Sequence, residues 1–131
     1  MTLSFDPRRN AWRDKFRWAA RGLVQAMRSE RNFRVHLAAA VAVVVAAAAL
    51  RASLLEWCVL ALCIMVVLAA EMLNTALENL ARAITQDHSE QIRDALDTSG
   101  GAVLLAAIGA AVVGGGILFY RLGTLLAWWG G

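Results

Sequence analysis

The sequence predicts an all-α integral membrane protein, with an N-terminal amphipathic surface helix followed by three transmembrane helices, and three observations carry that prediction. Hydrophobic residues make up 60% of the 131-residue chain, above the roughly 45–50% of soluble domains. They gather in long tracts of Ala, Leu and Val, with a single Pro and little of the alternation that marks strands. The charge is also lopsided. Nine of the thirteen basic residues (Arg8, Arg9, Arg13, Lys15, Arg17, Arg21, Arg28, Arg31 and Arg34) lie in the first 34 positions. A chain of this length has room for one domain, 1–131. It encloses little by itself, so an active site is expected between helices or between subunits.

Each element follows in turn. Residues 1–11 are expected to be flexible. The predicted surface helix covers 12–32. Its apolar groups at Trp12, Phe16, Ala19, Ala20, Leu23, Val24 and Met27 share one face, and Arg13, Arg17, Arg21 and Arg28 occupy the other. Such a helix suits the plane of a membrane interface; the competing reading is a soluble helix facing a core. The transmembrane spans are predicted at 34–51, 54–82 and 98–120. The first is about 16 apolar residues between Arg34 and Arg51, near the short limit. Arg51-Ala52-Ser53 allows only a tight reversal. Residues 84–97, ITQDHSEQIRDALD, are polar and acidic and predict a cytoplasmic surface loop or short helix. The last span carries Gly100, Gly101, Gly109 and Gly114–Gly116, small residues that let helices approach closely.

Basic residues also orient the chain. With the N-terminus and the 84–97 loop inside, the nine N-terminal basic groups, Arg82 and Arg93 face inward, while Arg51 and Arg121 face outward. That is a positive-inside pattern, with the N-terminus cytoplasmic and the C-terminus outside. Trp128 and Trp129 are expected as outer-interface anchors. Beside apolar spans the basic cluster suits the anionic cytoplasmic leaflet better than nucleic acid. Cys58 and Cys63 sit in an apolar run without partners at metal spacing and are read as packing residues. No cleavable signal peptide is read in the polar, basic N-terminal segment.

One feature breaks the apolar pattern. Residues 71–78, EMLNTALE, close the run WCVLALCIMVVLAA. On a helix Glu71, Asn74, Thr75 and Glu78 fall within about 100° of arc, on the cytoplasmic half of the second span. Ionisable groups in a span are expensive, and a functional site is the default reading. The alternative is a structural hydrogen-bond network, or for Glu78 an ion pair with Arg82 at i+4. Two carboxylates at a membrane–water boundary suit particular chemistry. One can act as a general base on a lipid hydroxyl, and another can hold Mg²⁺ on nucleotide phosphates. Glu30, in SERNFRVH (29–36), is a further candidate metal ligand. No Walker-type glycine loop is present.

Three segments together resemble one family: GL-x6-ERNFRVH from Gly22 to His36, E-x2-NTA-x-E from Glu71 to Glu78, and D-x2-GGAVLLAA from Asp97 to Ala107. They are similar to the prokaryotic diacylglycerol kinase family, small three-span membrane kinases that include undecaprenol kinases. The resemblance runs from about residue 16 to 120 and is carried most specifically by the central element. It implies a homotrimer with active sites shared between subunits, in the bacterial inner membrane, using MgATP to phosphorylate the hydroxyl of diacylglycerol or undecaprenol. By the same resemblance Glu71 matches the catalytic base and Asn74 its polar partner. Glu30 and Glu78 match carboxylates that hold the nucleotide-bound Mg²⁺, and Asp97 the acidic residue that follows a phosphate-contacting lysine. The segment Asn32-Phe33-Arg34-Val35-His36 is closer to the undecaprenol kinase branch. Two departures stand out. Leu96 replaces the family lysine, and Arg82 stands where an acidic residue is usual. Arg82 or Arg93 is therefore expected to supply the missing charge beside the nucleotide phosphates, since phosphoryl transfer depends on positioning and charge stabilisation. The competing functions are a non-catalytic membrane scaffold or lipid-binding remnant of the kinase fold, and a small transporter using Glu71 as a cation site.

Overall fold

The computed structural model describes residues 12–84 and 87–127. Among them the chain is entirely helical: α1 Trp12–Ser29, α2 Arg31–Ala49, α3 Leu54–Ile84 and α4 Glu90–Leu125. Helices α2, α3 and α4 are each long and apolar enough to cross a membrane. Their large apolar side chains point outward along most of their length, as at Val41, Val45, Leu62, Met65, Leu105 and Val112. That suits hydrocarbon on the outside of a multi-pass membrane protein. Residues 1–11 and the predicted anchors Trp128 and Trp129 lie outside the described residues.

The breaks between helices have local causes. At Glu30 the backbone turns extended (φ −106°, ψ 111°), so α1 ends at Ser29 rather than 32 and α2 begins at Arg31 rather than 34. The far end of α2 closes through a left-handed residue. Arg51 has φ 56°, its N–H donates to the carbonyl of Ala48 at 3.3 Å, and the Ala52 N–H donates to that of Ala47 at 3.0 Å. This is the two-bond helix stop that usually carries glycine at its left-handed position. Ser53 then opens α3. Its backbone N–H donates to Glu56 Oε1 at 3.0 Å, while its Oγ accepts from the Glu56 N–H at 3.2 Å. That reciprocal pair is a capping box, written in the sequence as Ser53-Leu54-Leu55-Glu56.

The polar stretch 84–97, expected as a surface loop or short helix apart from the third span, is in part continuous with that span. Ser89 Oγ accepts from the Ile92 N–H at 3.5 Å and caps a helix that runs without interruption from Glu90 to Leu125. Residues 90–97 are thus the first turns of α4, and the predicted third span, 98–120, is only its apolar part. At 1.5 Å per residue α4 is about 54 Å long and α3 about 46 Å, against a hydrocarbon thickness of about 30 Å. Both therefore carry polar turns into water. Hydropathy marks where the lipid ends, not where the helix does.

Helix α4 packs along α3 over most of its length, α2 lies against α3 less extensively, and α1 touches α2 and α3. The buried apolar residues are few: Ala26, Phe33, Ala47, Leu60 and Val67. Gly114 is buried where Leu60 Cδ2 comes within 3.5 Å of the position a Cβ would take. The other expected small-residue contacts are not made within the chain: a Cβ at Gly100, Gly101, Gly109, Gly115 or Gly116 meets no neighbouring helix. Of the two cysteines, Cys58 is exposed and Cys63 lines a cavity between helices.

Candidate active site

The polar residues that the fold buries belong to the stripe on α3. Glu71 is 3% exposed, and Asn74 and Thr75 are also buried. Glu78, one turn after Asn74, is half-buried. Helical spacing brings these groups to one face, and the packing of α2 and α4 against that face covers it.

Each neighbouring helix sends one polar side chain to meet the stripe. From α2, His36 Nε2 approaches Glu71 Oε2 at 3.5 Å. From α4, Ser99 Oγ donates to Asn74 Oδ1 at 2.6 Å. With its carbonyl oxygen accepting there, Asn74 turns its amide to Glu78, and Nδ2 donates to Glu78 Oε1 at 3.0 Å. Ser99 Oγ also lies 2.9 Å from the carbonyl oxygen of Leu96. Its single proton is therefore shared between, or alternates between, two acceptors. The result is a chain of contacts from α4 through Asn74 to Glu78, beside a separate contact from α2 to Glu71.

Neither His36 nor Ser99 is among the residues singled out from the sequence. His36 stands inside the quoted ERNFRVH segment, so a signal is present but carries no role without a partner. The basic partner of Glu71 comes from 35 positions earlier in the chain, a distance at which helical spacing is silent. Ser99 looks like one of the small residues that open the glycine-rich span.

The pairing of Glu78 with Arg82, the alternative to a functional role, is not formed. Arg82 Nη1 instead donates to Asn79 Oδ1 at 3.3 Å, and Glu78 is turned to Asn74. Arg93 and Asp97 lie with Asp87, His88 and Leu96 around a shallow depression at the start of α4. Glu30 sits at the break between α1 and α2, half-buried, with no side-chain capping bond to α2. Among the described residues Glu30, Arg93 and Asp97 make no hydrogen bond to the stripe, and no three His, Cys, Asp or Glu side chains gather as a metal cluster. Within one chain, then, the fold brings together Glu71, Asn74 and Glu78. It leaves Glu30, Arg82, Arg93 and Asp97 on surrounding edges.

Below this polar head, a cavity of about 220 Å³ runs between α2, α3 and α4. His36 stands at its polar end, and Ala40, Leu60, Cys63, Ala111 and Gly114 are among the residues that line it. The arrangement places a histidine at the head of an apolar slot, a buried carboxylate behind that histidine, and a half-buried carboxylate about two turns nearer to the end of α3. A group with a hydrocarbon body and a polar end fits that gradient.

Comparison with known proteins agrees with the geometry. Residues 17–118 match the family described as prokaryotic diacylglycerol kinase. A diacylglycerol kinase of Synechocystis sp. is 40% identical over 126 residues, which cover 91% of this chain and 72% of that protein. An undecaprenol kinase of Bacillus subtilis is 35% identical over 105 residues, 80% of this chain and 85% of the relative.

Proposed function

The chain belongs to the prokaryotic diacylglycerol kinase family and is a lipid kinase, and from that premise we propose that Glu71 is the general base that activates the lipid hydroxyl. The observation that carries this reading is the burial of Glu71 beside His36, which lines the apolar slot, within a span where a carboxylate without a task is costly. The proposed phosphoryl donor is ATP, arriving from the cytoplasm. The acceptor is diacylglycerol or undecaprenol, the alcohols for which the two relatives are named.

In the proposed reaction, Glu71 takes the proton of the lipid hydroxyl as that oxygen attacks the γ-phosphorus of ATP. The bond from the γ-phosphorus to the β-bridging oxygen breaks, ADP leaves, and Glu71 gives its proton to water. Proton transfer of this kind contributes roughly 10²- to 10⁴-fold to a rate. Asn74, held by Ser99, keeps Glu78 Oε1 in place.

The carboxylates present suit Mg²⁺, which prefers one or two carboxylates together with phosphate and water. Glu78 has one oxygen engaged by Asn74 and no donor among the described residues on the other, and Glu30 makes no capping bond. Glu30 and Glu78 would hold the ion, and when bound it neutralises charge on the nucleotide phosphates. Asp97 borders the phosphate region, and Arg82 or Arg93 supplies there the positive charge that Leu96 does not. The basic helix α1 lies at the cytoplasmic face of the inner membrane in this reading, with the aromatic residues Trp12 and Phe16, both exposed, turned to lipid. A homotrimer would bring edge residues of one chain to the stripe of another.

The decisive experiment gives purified protein in bilayers MgATP and a panel of lipid alcohols, with Glu71→Gln as the control. Transfer that disappears in the variant supports the assignment, and undiminished transfer refutes it. The relatives' kinase names do not favour the non-catalytic alternative.

A further inference from the structure

We infer that His36 is the positioning residue for Glu71: standing between the carboxylate and the apolar cavity that the imidazole itself lines, its Nε2 sets the orientation of Glu71 toward a lipid hydroxyl. The inference rests on the reading of Glu71 as the base, and it adds a residue that neither helical spacing nor the two carboxylates identify.

Three features carry it. The Glu71 side chain is 4% exposed, and among the described residues His36 is the basic side chain within reach, Nε2 to Oε2 at 3.5 Å. The contact is a close approach of polar groups, and a buried carboxylate with no polar neighbour carries the desolvation penalty of the charge. Second, His36 is itself 26% exposed in its side chain and forms the polar end of the cavity of about 220 Å³. It touches both the base and the space a lipid chain would fill. Third, the contact comes from α2 onto α3. The orientation of Glu71 thus depends on the packing of two helices rather than on rotamer freedom within one. The other carboxylate of the stripe is held from the opposite side by Ser99 through Asn74, so the two acids have separate supports. A base held by a neighbour delivers its geometry without reorganising at the moment of reaction, and a misplacement of about 1 Å can cost on the order of 10²-fold in rate.

The test uses the full chain in lipid bilayers with MgATP and a lipid alcohol, comparing His36→Gln, His36→Asn and His36→Leu. A glutamine amide nitrogen can occupy the place of imidazole Nε2, whereas an asparagine nitrogen occupies that of Nδ1. Expected is a kcat within about threefold of the unsubstituted chain for His36→Gln, and a fall of about 10- to 100-fold for His36→Asn and His36→Leu. The KM for ATP should stay within about twofold in all three, as befits loss of an interaction realised in the transition state. The Gln and Asn variants both keep a polar amide, so their comparison does not depend on His36→Leu, which removes polarity and packing together. Equal kcat for the Gln and Asn variants, or a change confined to KM, overturns the inference while leaving the kinase reading intact. Absence of transfer by the unsubstituted chain overturns both.

Discussion

The two ends of the helix bundle each hold a polar cluster, and they solve different problems. At the end opposite the stripe, the outer one in the proposed orientation, Arg121 reaches from α4 to the reversal between α2 and α3. Its Nε donates to the carbonyl of Leu50 at 3.0 Å, an Nη donates to the carbonyl of Arg51, and the other Nη lies 3.8 Å from Glu56 Oε1. Those carbonyls stand at the end of a helix, where backbone acceptors lose their intrahelical donors, and Glu56 already serves the capping box with Ser53. The hydrogen bonds there all end on the backbone, and only the Arg121–Glu56 contact joins two side chains. At the inner end the carboxylates of Glu71 and Glu78 meet side chains instead, and each keeps capacity for a further partner. A cluster that closes on the backbone holds helices together; one that closes on side chains and leaves acceptors over can do chemistry. The outer cluster also shows why polar groups near Arg121 do not continue a transport path from Glu71: they are bound into the chain reversal.

The largest effect that separates the ends is Glu71→Gln. It is expected to lower lipid phosphorylation by about 10²- to 10⁴-fold while the thermal midpoint in detergent stays near that of the unsubstituted chain. Loss of both together would make Glu71 a packing residue and erase the contrast. Arg121→Ala should do the reverse. Hydrogen bonds to charged groups are worth about 1.5–3 kcal/mol, so a fall of that order in unfolding free energy is expected, read by denaturant titration in micelles, with kcat altered less than about threefold.

Smaller, and confined to the inner end, is the effect of the edge arginines. Replacing Arg82 or Arg93 by Ala is expected to lower kcat/KM for ATP by about tenfold in at least one case, equivalent to about 1.4 kcal/mol; Leu96→Lys should recover that loss. Steady-state kinetics with varied ATP decide the matter, and unchanged values in both single variants remove these residues from the phosphate site. The smallest effect belongs to the outer reversal. Arg51 occupies a left-handed conformation, φ 56°, which disfavours a residue with a side chain by about 1–2 kcal/mol. Arg51→Gly keeps the carbonyl that Arg121 grips and should stabilise the protein by about 0.5–1 kcal/mol without changing activity. A destabilised variant would mean that the Arg51 side chain itself supports the reversal.

Much of the fold was legible because its determinants are local or compositional. Long apolar tracts require helices that satisfy their own backbone in lipid, and the spacing of Glu71, Asn74, Thr75 and Glu78 assigns them to one face before any packing is known. At Ser53 only a tight reversal was read, and the capping box there emerged from the structure. Residues 84–97 were read by polarity, which reports solvent exposure, and so the continuous α4 was divided at the membrane boundary. Glu78 was offered Arg82 by sequence spacing, but a long exposed arginine gains little from a surface pair and Asn74 was nearer to hand.

By itself, the sequence determined three apolar spans, an N-terminal clustering of basic residues and a one-sided stripe of acids, because hydrophobicity and helical period act along the chain. Only the tertiary structure decided that His36 faces Glu71, that Ser99 holds Asn74 and through it Glu78, and that Arg121 fastens the opposite end. Each of those contacts joins residues on different helices, where the separation along the chain carries no geometry and packing alone sets the distance.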